Sequence, residues 1–337
     1  MKKSISTAQV RKVVTDLLSS TGQLPDTYSV EKWFQYWLSN KSSSRAQGTV
    51  TRYRGIWSDF HTFLGKRASE PLDGVSIEDI ARFRDSLIAI GISADSANLV
   101  LKTLRSCFNA AVAHGHLLHN PANAVDTLPR GKKSRDKFSQ SQIQALLKYA
   151  DREWQGLILT GYYIGARLGT CVRLSFNDFD LTQKTVTYIP EKQLRSKEPQ
   201  SVTVPVHPEL LAYLESLTRT TGHVFPNLAL RPIGGKTGLS QTFRALMSKA
   251  GVTGSVRKAE GKGRQVFSLS FHSLRHTFNS DLANASISQE IRRKLIGHAS
   301  DAVNDIYTHV ELDTLRQAIN TLSPLGSQTS TNPNENI

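Results

Sequence analysis

Residues 269–283, LSFHSLRHTFNSDLA, contain His272 and Arg275 in a segment that we predict to be helical. Side chains three positions apart lie on the same face of a helix, so these two side chains point the same way. A histidine and an arginine on one helix face are commonly structural. The pair therefore gains meaning only from other polar clusters in the second half of the chain.

Three further clusters lie on either side of this segment. They are GARLGT with Arg167, RSKEP with Lys197, and GHASDAVNDIYTHV with His298 and Tyr307. Each carries little weight alone. An arginine after an apolar helix is usually paired or capping, a lysine in a polar hairpin is usually solvated, and a lone tyrosine usually fills a gap in a core.

Taken together, the clusters supply two arginines, one lysine, two histidines and a tyrosine, and no pair of Asp or Glu residues of the kind that holds Mg²⁺. This inventory suits metal-free phosphoryl transfer, which depends on positioning and on electrostatic stabilisation of the phosphate oxygens. The planar arginine side chain can bind two of these oxygens at once. Because a tyrosine has an ordinary pKa of about 10, a cationic pocket that favours phenolate would make it a better nucleophile.

The order of these residues, namely Arg, Lys, His-x-x-Arg, Gly-His and Tyr, resembles that of the tyrosine recombinases, also called the phage integrase family. TGYYIGARLGTCVRLSFNDFDL at residues 160–181 is similar to the first conserved box of that family, residues 269–283 to the second, and LIGHASDAVNDIYTHV at residues 295–310 to the third. The third box keeps the family's step of nine residues from His298 to Tyr307. The ordered set is highly specific, and the resemblance covers most of the chain.

The resemblance implies both a fold and a reaction. The fold would be mainly α with a small β-sheet, in which an all-helical core-binding domain and an α+β catalytic domain form a C-shaped clamp. Tyr307 would attack the scissile phosphate and form a 3′-phosphotyrosyl link, while Arg167 and Arg275 bind the non-bridging oxygens. His272 would assist proton transfer, and His298 would hydrogen-bond the phosphate.

By the same resemblance, Lys197 would be the general acid that protonates the departing 5′ oxygen. We choose it over Lys192 because it lies eight residues before Pro205, the usual spacing in such hairpins. No cofactor would be needed, since the phosphotyrosyl link keeps the energy of the broken phosphodiester.

One position departs from the family's pattern. Three residues after Arg167, where the family usually has Glu or Asp, this chain has Thr170. A carboxylate there would help to orient the active-site groups. The support for those groups is therefore expected to differ in this chain, with an effect on rate more than on reaction type.

The first part of the chain has the pattern of a helical bundle. Segments between residues 28 and 118 carry apolar residues at three and four spacing, with Ser76 as a predicted N-cap and Gly91 and Gly115 as predicted helix ends. The basic stretch RGKKSRDKF that follows is typical of an interdomain linker. The predicted organisation is an N-terminal helix or arm at residues 1–26, a helical core-binding domain at 27–125, a basic linker at 126–137, a catalytic domain at 138–323 and a disordered tail at 324–337.

From residue 139 the pattern mixes helices with short strands. KTVTYIP at residues 184–190 and QSVTVPV at residues 200–206 predict two strands, joined by the polar hairpin loop EKQLRSKEP. Helices follow to about residue 320. The last of them, LDTLRQAINTL at residues 312–322, is expected to dock on a neighbouring protomer.

The charge balance favours a polyanionic partner. Lys and Arg total 42 against 28 Asp and Glu, a net charge of +14. No apolar run approaches the roughly 20 residues that span a bilayer, and the first residues lack the apolar segment of a signal peptide. Two distant cysteines exclude a disulfide framework and a CxxC zinc site, and the histidines at positions 114, 116 and 119 lack carboxylate or cysteine partners. We expect a cytoplasmic, nucleoid-associated protein that binds double-stranded DNA without a metal.

Basic residues in several segments are candidate DNA contacts. They are Arg52, Arg54, Lys102, Arg105, Lys132, Lys133, Arg135, Arg257 and Lys258. Arg52 and Arg54 alternate with aromatic residues in TRYRGIW, and Lys102 and Arg105 lie three positions apart on one predicted helix. For any single residue, a solvated helix face or loop explains the pattern equally well.

We therefore expect a site-specific recombinase or integrase whose four protomers act on two duplexes through a Holliday junction, with accessory proteins that set the direction. Two alternatives stay open. A type IB topoisomerase has related chemistry but reseals the same strand, and a DNA-binding protein with a decayed active site would have the same fold. The small helical N-terminal domain and the filled catalytic positions favour recombination.

Overall fold

The computed structural model describes residues 28–129, 136–194, 198–218, 220–257, 266–297 and 312–326. Contacts divide these residues into two compact units, one made of residues 28–129 and the other of the remaining ranges. Each unit has its own hydrophobic core. The fold is mainly α-helical with a small β-sheet, which confirms the predicted fold class.

Four α-helices build the first unit. They are α1 (Val30–Ser44), α2 (Gln47–Leu64), α3 (Ile77–Ala89) and α4 (Ala94–Ala113), with 3₁₀ turns at Gly65–Ser69, Leu72–Gly74 and Pro121–Ala124. Ser76 caps α3 as predicted, in a capping box with Asp79. Gly91 and Gly115 follow α3 and α4 with φ angles of 85° and 77°, which glycine adopts without strain.

Large aromatic side chains fill the core of this unit. Trp33 and Phe34 of α1, Phe60 of α2 and Phe108 of α4 are fully buried. The rings of Phe34 and Phe108 meet edge to face with their centroids 5.7 Å apart, a favourable geometry for aromatic pairs. The ring of His116 lies 5.1 Å from that of Trp33, so this histidine takes part in aromatic packing.

The chain stays attached to the first unit beyond its last helix. The side chain of Asn98 donates to the carbonyl oxygen of Leu128 at 2.9 Å and accepts from its N–H at 2.8 Å. Arg84 donates to the carbonyl oxygen of Asp126 at 2.7 Å. Residues 126–128, which the sequence pattern assigned to the linker, are thus tied to the helical unit because their backbone groups find partners there.

The second unit combines helices with two small sheets. Its helices are α5 (Gln140–Tyr149), α6 (Arg152–Tyr163), α7 (Leu168–Cys171), α8 (Pro208–Glu215), α9 (Pro226–Ala229), α10 (Leu239–Lys249), α11 (Phe271–Asn284), α12 (Gln289–Leu295) and α13 (Leu312–Asn320). Its strands are β1 (Phe179–Asp180), β2 (Thr185–Tyr188), β3 (Val202–Pro205), β4 (Val256–Arg257) and β5 (Val266–Phe267). Across the described ranges of both units, no helix has the length and apolar character to cross a membrane.

Strands β1, β2 and β3 form an antiparallel sheet in that order. β2 and β3 pair with Tyr188 opposite Val202, which confirms the two predicted strands. The sequence pattern missed β1, which pairs through Phe179 and Asp180 alone. Two residues are too few to show the alternation by which a strand is recognised.

Helix α11 is formed by the segment that carries His272 and Arg275. It buries Phe271, Leu274, Phe278 and Leu282 at spacings of three and four. Gly161 of α6 allows a close approach, because a Cβ at that position would lie 2.6 Å from the ring of Phe271. The two helices therefore pack tightly through the middle of the unit.

The C-terminal helix α13 packs on its own unit. Leu315, Ala318 and Ile319 are buried in the same core as the other helices. Beyond the helix, Leu325 is 2% exposed and donates its N–H to Oε2 of Glu209 at 2.6 Å. The unit's own core therefore takes up the apolar side chains of this helix and of Leu325, so the described residues 324–326 belong with the catalytic unit. Docking of the helix on a neighbouring protomer stays a prediction.

Candidate active site

Arg167 stands directly before α7, where the backbone changes from extended to helical. Its φ of −77° and ψ of 153° are extended, and the N–H groups of Thr170 and Cys171 both donate to its carbonyl oxygen at 2.9 Å. This N-cap geometry fixes the point at which the side chain leaves the backbone. The side chain itself is half-buried.

Arg275 lies on the buried side of α11 and is only 6% exposed. Its Nη1 donates to the carbonyl oxygen of Gly165 at 2.7 Å. Its Nη2 is buried and has no hydrogen-bond partner among the described residues. A buried donor without a partner is costly, so an explanation such as a ligand is required for it.

The positive charges of Arg275 and Arg167 lie close together. The pKa of Arg275 is below its ordinary value, first because burial disfavours the charged form and second because the charge of Arg167 opposes it. In the described ranges, neither guanidinium forms an ion pair with a carboxylate, and no group of three or more His, Cys, Asp or Glu side chains could hold a metal ion. Such a pair favours the binding of an anion, because an anion would offset the repulsion between the two charges.

Gly165 is the point where three of the sequence clusters meet. It receives the hydrogen bond from Arg275, and a Cβ at this position would lie 2.5 Å from Cδ1 of Phe278 and 3.3 Å from Cγ2 of Ile296. Phe278 lies in the second conserved box, together with Arg275. Ile296 lies in the third box, two residues before His298. The φ of Gly165 is 64°, so glycine is needed for its conformation as well as for its size.

The base of the β2–β3 hairpin contacts the segments that carry Arg167 and His298. A Cβ on Gly297, the residue directly before His298, would lie 3.0 Å from Cγ2 of Val202 and 3.7 Å from Cγ of Pro190. The N–H of Glu191 donates to Oγ1 of Thr170 at 3.2 Å. The hairpin base therefore contacts two segments that each carry a predicted catalytic residue.

His272 lies one turn before Arg275 on α11 and is half-buried. Its ring meets that of His276 edge to face, with the centroids 4.8 Å apart. A spacing of three places His272 on the side of the helix that bears Arg275, and a spacing of four places His276 next to His272. His272 thus offers an imidazole group on the same side of α11 as the buried guanidinium.

Several predicted site residues lie outside the described residues. They are Lys197, His298 and Tyr307 of the catalytic set and Lys132, Lys133, Arg135 and Lys258 of the DNA-binding set. For Arg257 the structure describes the backbone alone, which pairs with Val266. The roles given to these residues stay predictions.

The predicted DNA contacts of the helical unit are of two kinds. Arg52, Arg54 and Lys102 are exposed, as a phosphate contact requires. Arg105 is half-buried and donates from Nε to the carbonyl oxygen of Ala122 at 3.0 Å and from Nη2 to that of Val125. These bonds give Arg105 a structural role, because they hold the chain that follows α4, and its contact with DNA stays a prediction.

Sequence reasoning missed Tyr188 and Glu191. The hydroxyl of Tyr188 is buried without a partner among the described residues, and burial raises its pKa, against the influence of the nearby charges of Arg275 and Arg167. Glu191 pairs with Arg173, with Oε1 3.0 Å from Nη1. A tyrosine in an apolar strand resembles a core residue and a glutamate in a polar loop resembles a solvated one, so the sequence marks neither.

Two family models match the chain. The phage integrase family matches residues 137–313, which are more than half of the chain. The phage integrase SAM-like domain matches residues 29–127. The two matches fall on the second and the first structural unit, respectively.

Individual proteins give the same result. Tyrosine recombinase XerD of Rickettsia conorii is 25% identical over 295 residues, or 81% of this chain and 92% of that protein. Tyrosine recombinase XerC of Bacillus subtilis is 24% identical over 287 residues, or 80% and 88%. In fold, the lambda integrase tetramer bound to a Holliday junction is similar with a TM-score of 0.60 at 19% identity, over 93% of this chain and 86% of its own. The chain belongs to the phage integrase family, the tyrosine recombinases, and is an enzyme that cleaves and rejoins DNA in site-specific recombination.

Proposed function

We propose that Tyr307 is the nucleophile of this recombinase and that Arg167 and Arg275 bind the scissile phosphate. The observation that carries the proposal is the arginine pair: a buried guanidinium with one unpartnered nitrogen stands beside a second cation, without a described carboxylate to pair with either. A phosphodiester supplies both the hydrogen-bond acceptor and the negative charge that this arginine pair lacks among the described residues. Its two non-bridging oxygens accept hydrogen bonds and its negative charge offsets the repulsion.

Charge development during the reaction explains why two arginines are useful. As the tyrosine oxygen approaches phosphorus, negative charge grows on the non-bridging oxygens, and donors already fixed in place stabilise it without reorganising. Arg275 is fixed by its hydrogen bond to Gly165 and by burial on α11. The interaction is therefore stronger in the transition state than in the bound substrate, which is the condition for catalysis.

The proposed reaction has two transfers. In the first, Tyr307 gives its proton to His272 as its oxygen forms a bond to phosphorus, the bond from phosphorus to the 5′ oxygen breaks, and Lys197 protonates that oxygen. His298 hydrogen-bonds the phosphate. In the second, the 5′-hydroxyl of a partner strand gives its proton to Lys197 and attacks the 3′-phosphotyrosyl link, and the tyrosine recovers its proton from His272 as it leaves. One phosphoester bond is exchanged for another in each step, so no ATP is required.

DNA binding and assembly extend the proposal beyond the active site. We propose that the helical unit and the catalytic unit both bind double-stranded DNA, with phosphate contacts from Arg52, Arg54 and Lys102, and that four protomers exchange strands through a Holliday junction in the cytoplasm. Support comes from the exposure of these three residues, from the net charge of +14, and from the fold of a lambda integrase tetramer bound to such a junction. Direction would be set by accessory proteins.

A trapping experiment tests the nucleophile. A library of random-sequence duplexes, nicked so that a short 5′-hydroxyl fragment diffuses away after cleavage, is incubated with the protein, and covalent adducts are recovered and sequenced. The wild type is expected to form a DNA adduct through Tyr307, and Tyr307→Phe none. Tyr149→Phe is the matched control, because Tyr149 is 44% exposed. Persistence of the adduct in Tyr307→Phe would contradict the assignment.

The recovered sequence then distinguishes the alternatives. Two duplexes that carry it and bear different end labels are mixed with the wild type. Recombination yields products with exchanged labels, whereas a topoisomerase only relaxes a supercoiled plasmid that carries the same sequence, and a decayed protein binds without forming an adduct. Exchanged labels are the expected result.

A further inference from the structure

Thr170 stands where the recombinase family usually has an acidic side chain, and the structure shows what its hydroxyl binds. Thr170 is 7% exposed. Its Oγ1 accepts a hydrogen bond from the backbone N–H of Glu191 at 3.2 Å, across 21 positions of sequence. Glu191 begins the turn after β2, so this bond joins the segment of Arg167 to the base of the hairpin.

The carboxylate of Glu191 makes further contacts with the same segment. Its Oε1 lies 3.0 Å from Nη1 of Arg173. A Cβ placed on Gly169 would lie 2.1 Å from its Oε2. The carboxylate therefore occupies space against α7 that is open because position 169 has no side chain. Gly169, Thr170 and Arg173 together hold one glutamate.

Hydrogen bonds extend this fixed point into the hairpin. Glu191–Gln193 form a 3₁₀ turn in which the N–H of Gln193 donates to the carbonyl oxygen of Pro190 at 2.7 Å. The side-chain oxygen of Gln193 accepts from the N–H of Gln200 at 2.9 Å. This last bond connects positions that lie on either side of Lys197 in the sequence. A displacement of Glu191 would therefore also displace both ends of the loop between β2 and β3.

We propose that Glu191 positions the Lys197 hairpin relative to Arg167, in the role that the usual acidic residue at position 170 would otherwise have. Glu191 is a positioning residue, and Thr170 and Arg173 hold it in place. The inference rests on the proposed function, in which Lys197 protonates the departing 5′ oxygen. A general acid contributes about 10²–10⁴-fold to a rate, and a misplacement of about 1 Å can remove much of that.

A sulfur leaving group separates this role from a general structural one. The duplex recovered in the trapping experiment is made in two forms, one with the ordinary scissile phosphodiester and one with sulfur in place of its 5′ bridging oxygen. A thiol has a pKa of about 8.5, far below that of an alcohol, so a thiolate departs without a proton. Cleavage of the sulfur duplex therefore does not depend on a general acid.

Glu191→Gln is expected to form the covalent adduct about 10-fold more slowly than the wild type on the ordinary duplex and at the wild-type rate on the sulfur duplex. Thr170→Val is expected to give the same split, slower on the ordinary duplex and unchanged on the sulfur duplex, because it removes the acceptor of the Glu191 N–H. Thr170→Ser keeps the acceptor and is expected to match the wild type on both duplexes. Asp313→Asn is the control, because it breaks an exposed ion pair with Arg316 in the same unit.

Gly169→Ala provides a second route to the same test. The new methyl group would displace the carboxylate without changing any charge, so the same split between the two duplexes is expected even if Glu191→Gln folds poorly. Equal slowing of both duplexes by these variants, or no slowing of either, overturns the proposal. Failure of the wild type to form an adduct on either duplex contradicts the proposed function instead, so the two failures are distinguishable.

Discussion

Arg275 and Gly165, 110 positions apart in sequence, are joined by a hydrogen bond of 2.7 Å from Nη1 to the carbonyl oxygen. The bond occupies one edge of the guanidinium and leaves Nη2 buried without a partner among the described residues. In the absence of DNA this arrangement costs stability, because a cation has lost its hydration beside a like charge and has no counter-ion in the part of the chain that the structure describes. Such a loss of stability in the DNA-free protein is expected at a site that binds an anion.

Arg275→Met is therefore expected to raise the free energy of unfolding of the DNA-free protein by about 1 kcal/mol. Methionine fills a similar volume and removes a desolvated charge that Arg167 opposes. The same variant is expected to lose at least about 10²-fold in the rate of adduct formation, since a donor to the phosphate is gone. Urea unfolding and the nicked-duplex assay measure the two effects separately.

Arg67→Met is the matched control for this prediction. Arg67 donates from Nη1 and Nη2 to the buried carboxylate of Asp79, at 2.6 and 2.8 Å. Its loss takes both of these hydrogen bonds from a buried anion, which keeps the ion pair with the exposed Arg82 at 2.9 Å, so this variant is expected to be less stable than the wild type. A loss of stability in Arg275→Met of the same size as in Arg67→Met would contradict the account of Arg275 as an uncompensated charge.

Gly165→Ala is expected to lower the free energy of unfolding by about 1–3 kcal/mol and to slow adduct formation. Its Cβ would lie 2.5 Å from Phe278, and its φ of 64° strains any other residue. Gly55→Ala is the counterpart, because Gly55 lies inside α2 with nothing within 4 Å of a Cβ. It is expected to raise the free energy of unfolding by about 0.5–1 kcal/mol. Equal effects of the two substitutions in urea unfolding would refute the close contact at Gly165.

The elements of the fold that could be predicted from sequence are those that repeat a local pattern. The helical segments show apolar spacing over many residues, and Ser76 shows the capping chemistry of an N-terminus. The β2–β3 hairpin shows β-branched strands around a polar loop. The candidate site was predicted from the order of its residue types and from a family resemblance, because spacing alone left Arg275 equally well explained as a structural residue.

Contacts between distant segments could not be predicted in this way. Helical spacing placed Arg105 on the same helix face as Lys102. It could not show that Arg105 donates to the carbonyl oxygens of Ala122 and Val125. The sequence marked Thr170 as unusual but could not show that Glu191 binds it. Such contacts depend on where a loop packs against a distant helix. The apolar periodicity of a single segment carries no information about that.

The ion pair of Asp79 with Arg67 is expected to make the helical unit sensitive to acid. Hydrogen bonds from Arg67 hold the pKa of Asp79 well below its ordinary range. The unfolded chain therefore binds a proton at this carboxyl before the folded chain does. The stabilisation is complete above the ordinary aspartate pKa of about 4 and is lost progressively as the pH falls below it.

Asp79→Asn is expected to lower the free energy of unfolding by about 2 kcal/mol at pH 7, and the difference from the wild type is expected to shrink at pH 3. Urea unfolding followed by tryptophan fluorescence measures both values, because Trp33 and Trp37 lie in the core of this unit. Glu78→Gln is a control on the same first turn, whose side chain is exposed. A difference that stays constant between pH 7 and pH 3 would show that the carboxylate charge is not the source of the stability.

The exposed cations of the helical unit are expected to differ from Arg105 in their effect on DNA binding. Each phosphate contact contributes about −0.9 to the slope of log K against log salt concentration. If Arg52, Arg54 and Lys102 bind phosphates, replacing any one of them by alanine reduces the magnitude of that slope by about 1, on a random-sequence duplex. Their side chains are exposed, so the stability of the fold should change little.

Arg105→Ala is expected to show the opposite behaviour, although Arg105 lies one turn from Lys102 on α4. It leaves the carbonyl oxygens of Ala122 and Val125 without their donors, which should lower the free energy of unfolding by about 1–3 kcal/mol and leave the salt slope unchanged. Fluorescence anisotropy at several salt concentrations and urea unfolding measure the two quantities. A wild-type slope for Lys102→Ala would place Lys102 on a solvated face away from DNA, the alternative that helical spacing left open, while a reduced slope for Arg105→Ala would return that arginine to the DNA interface.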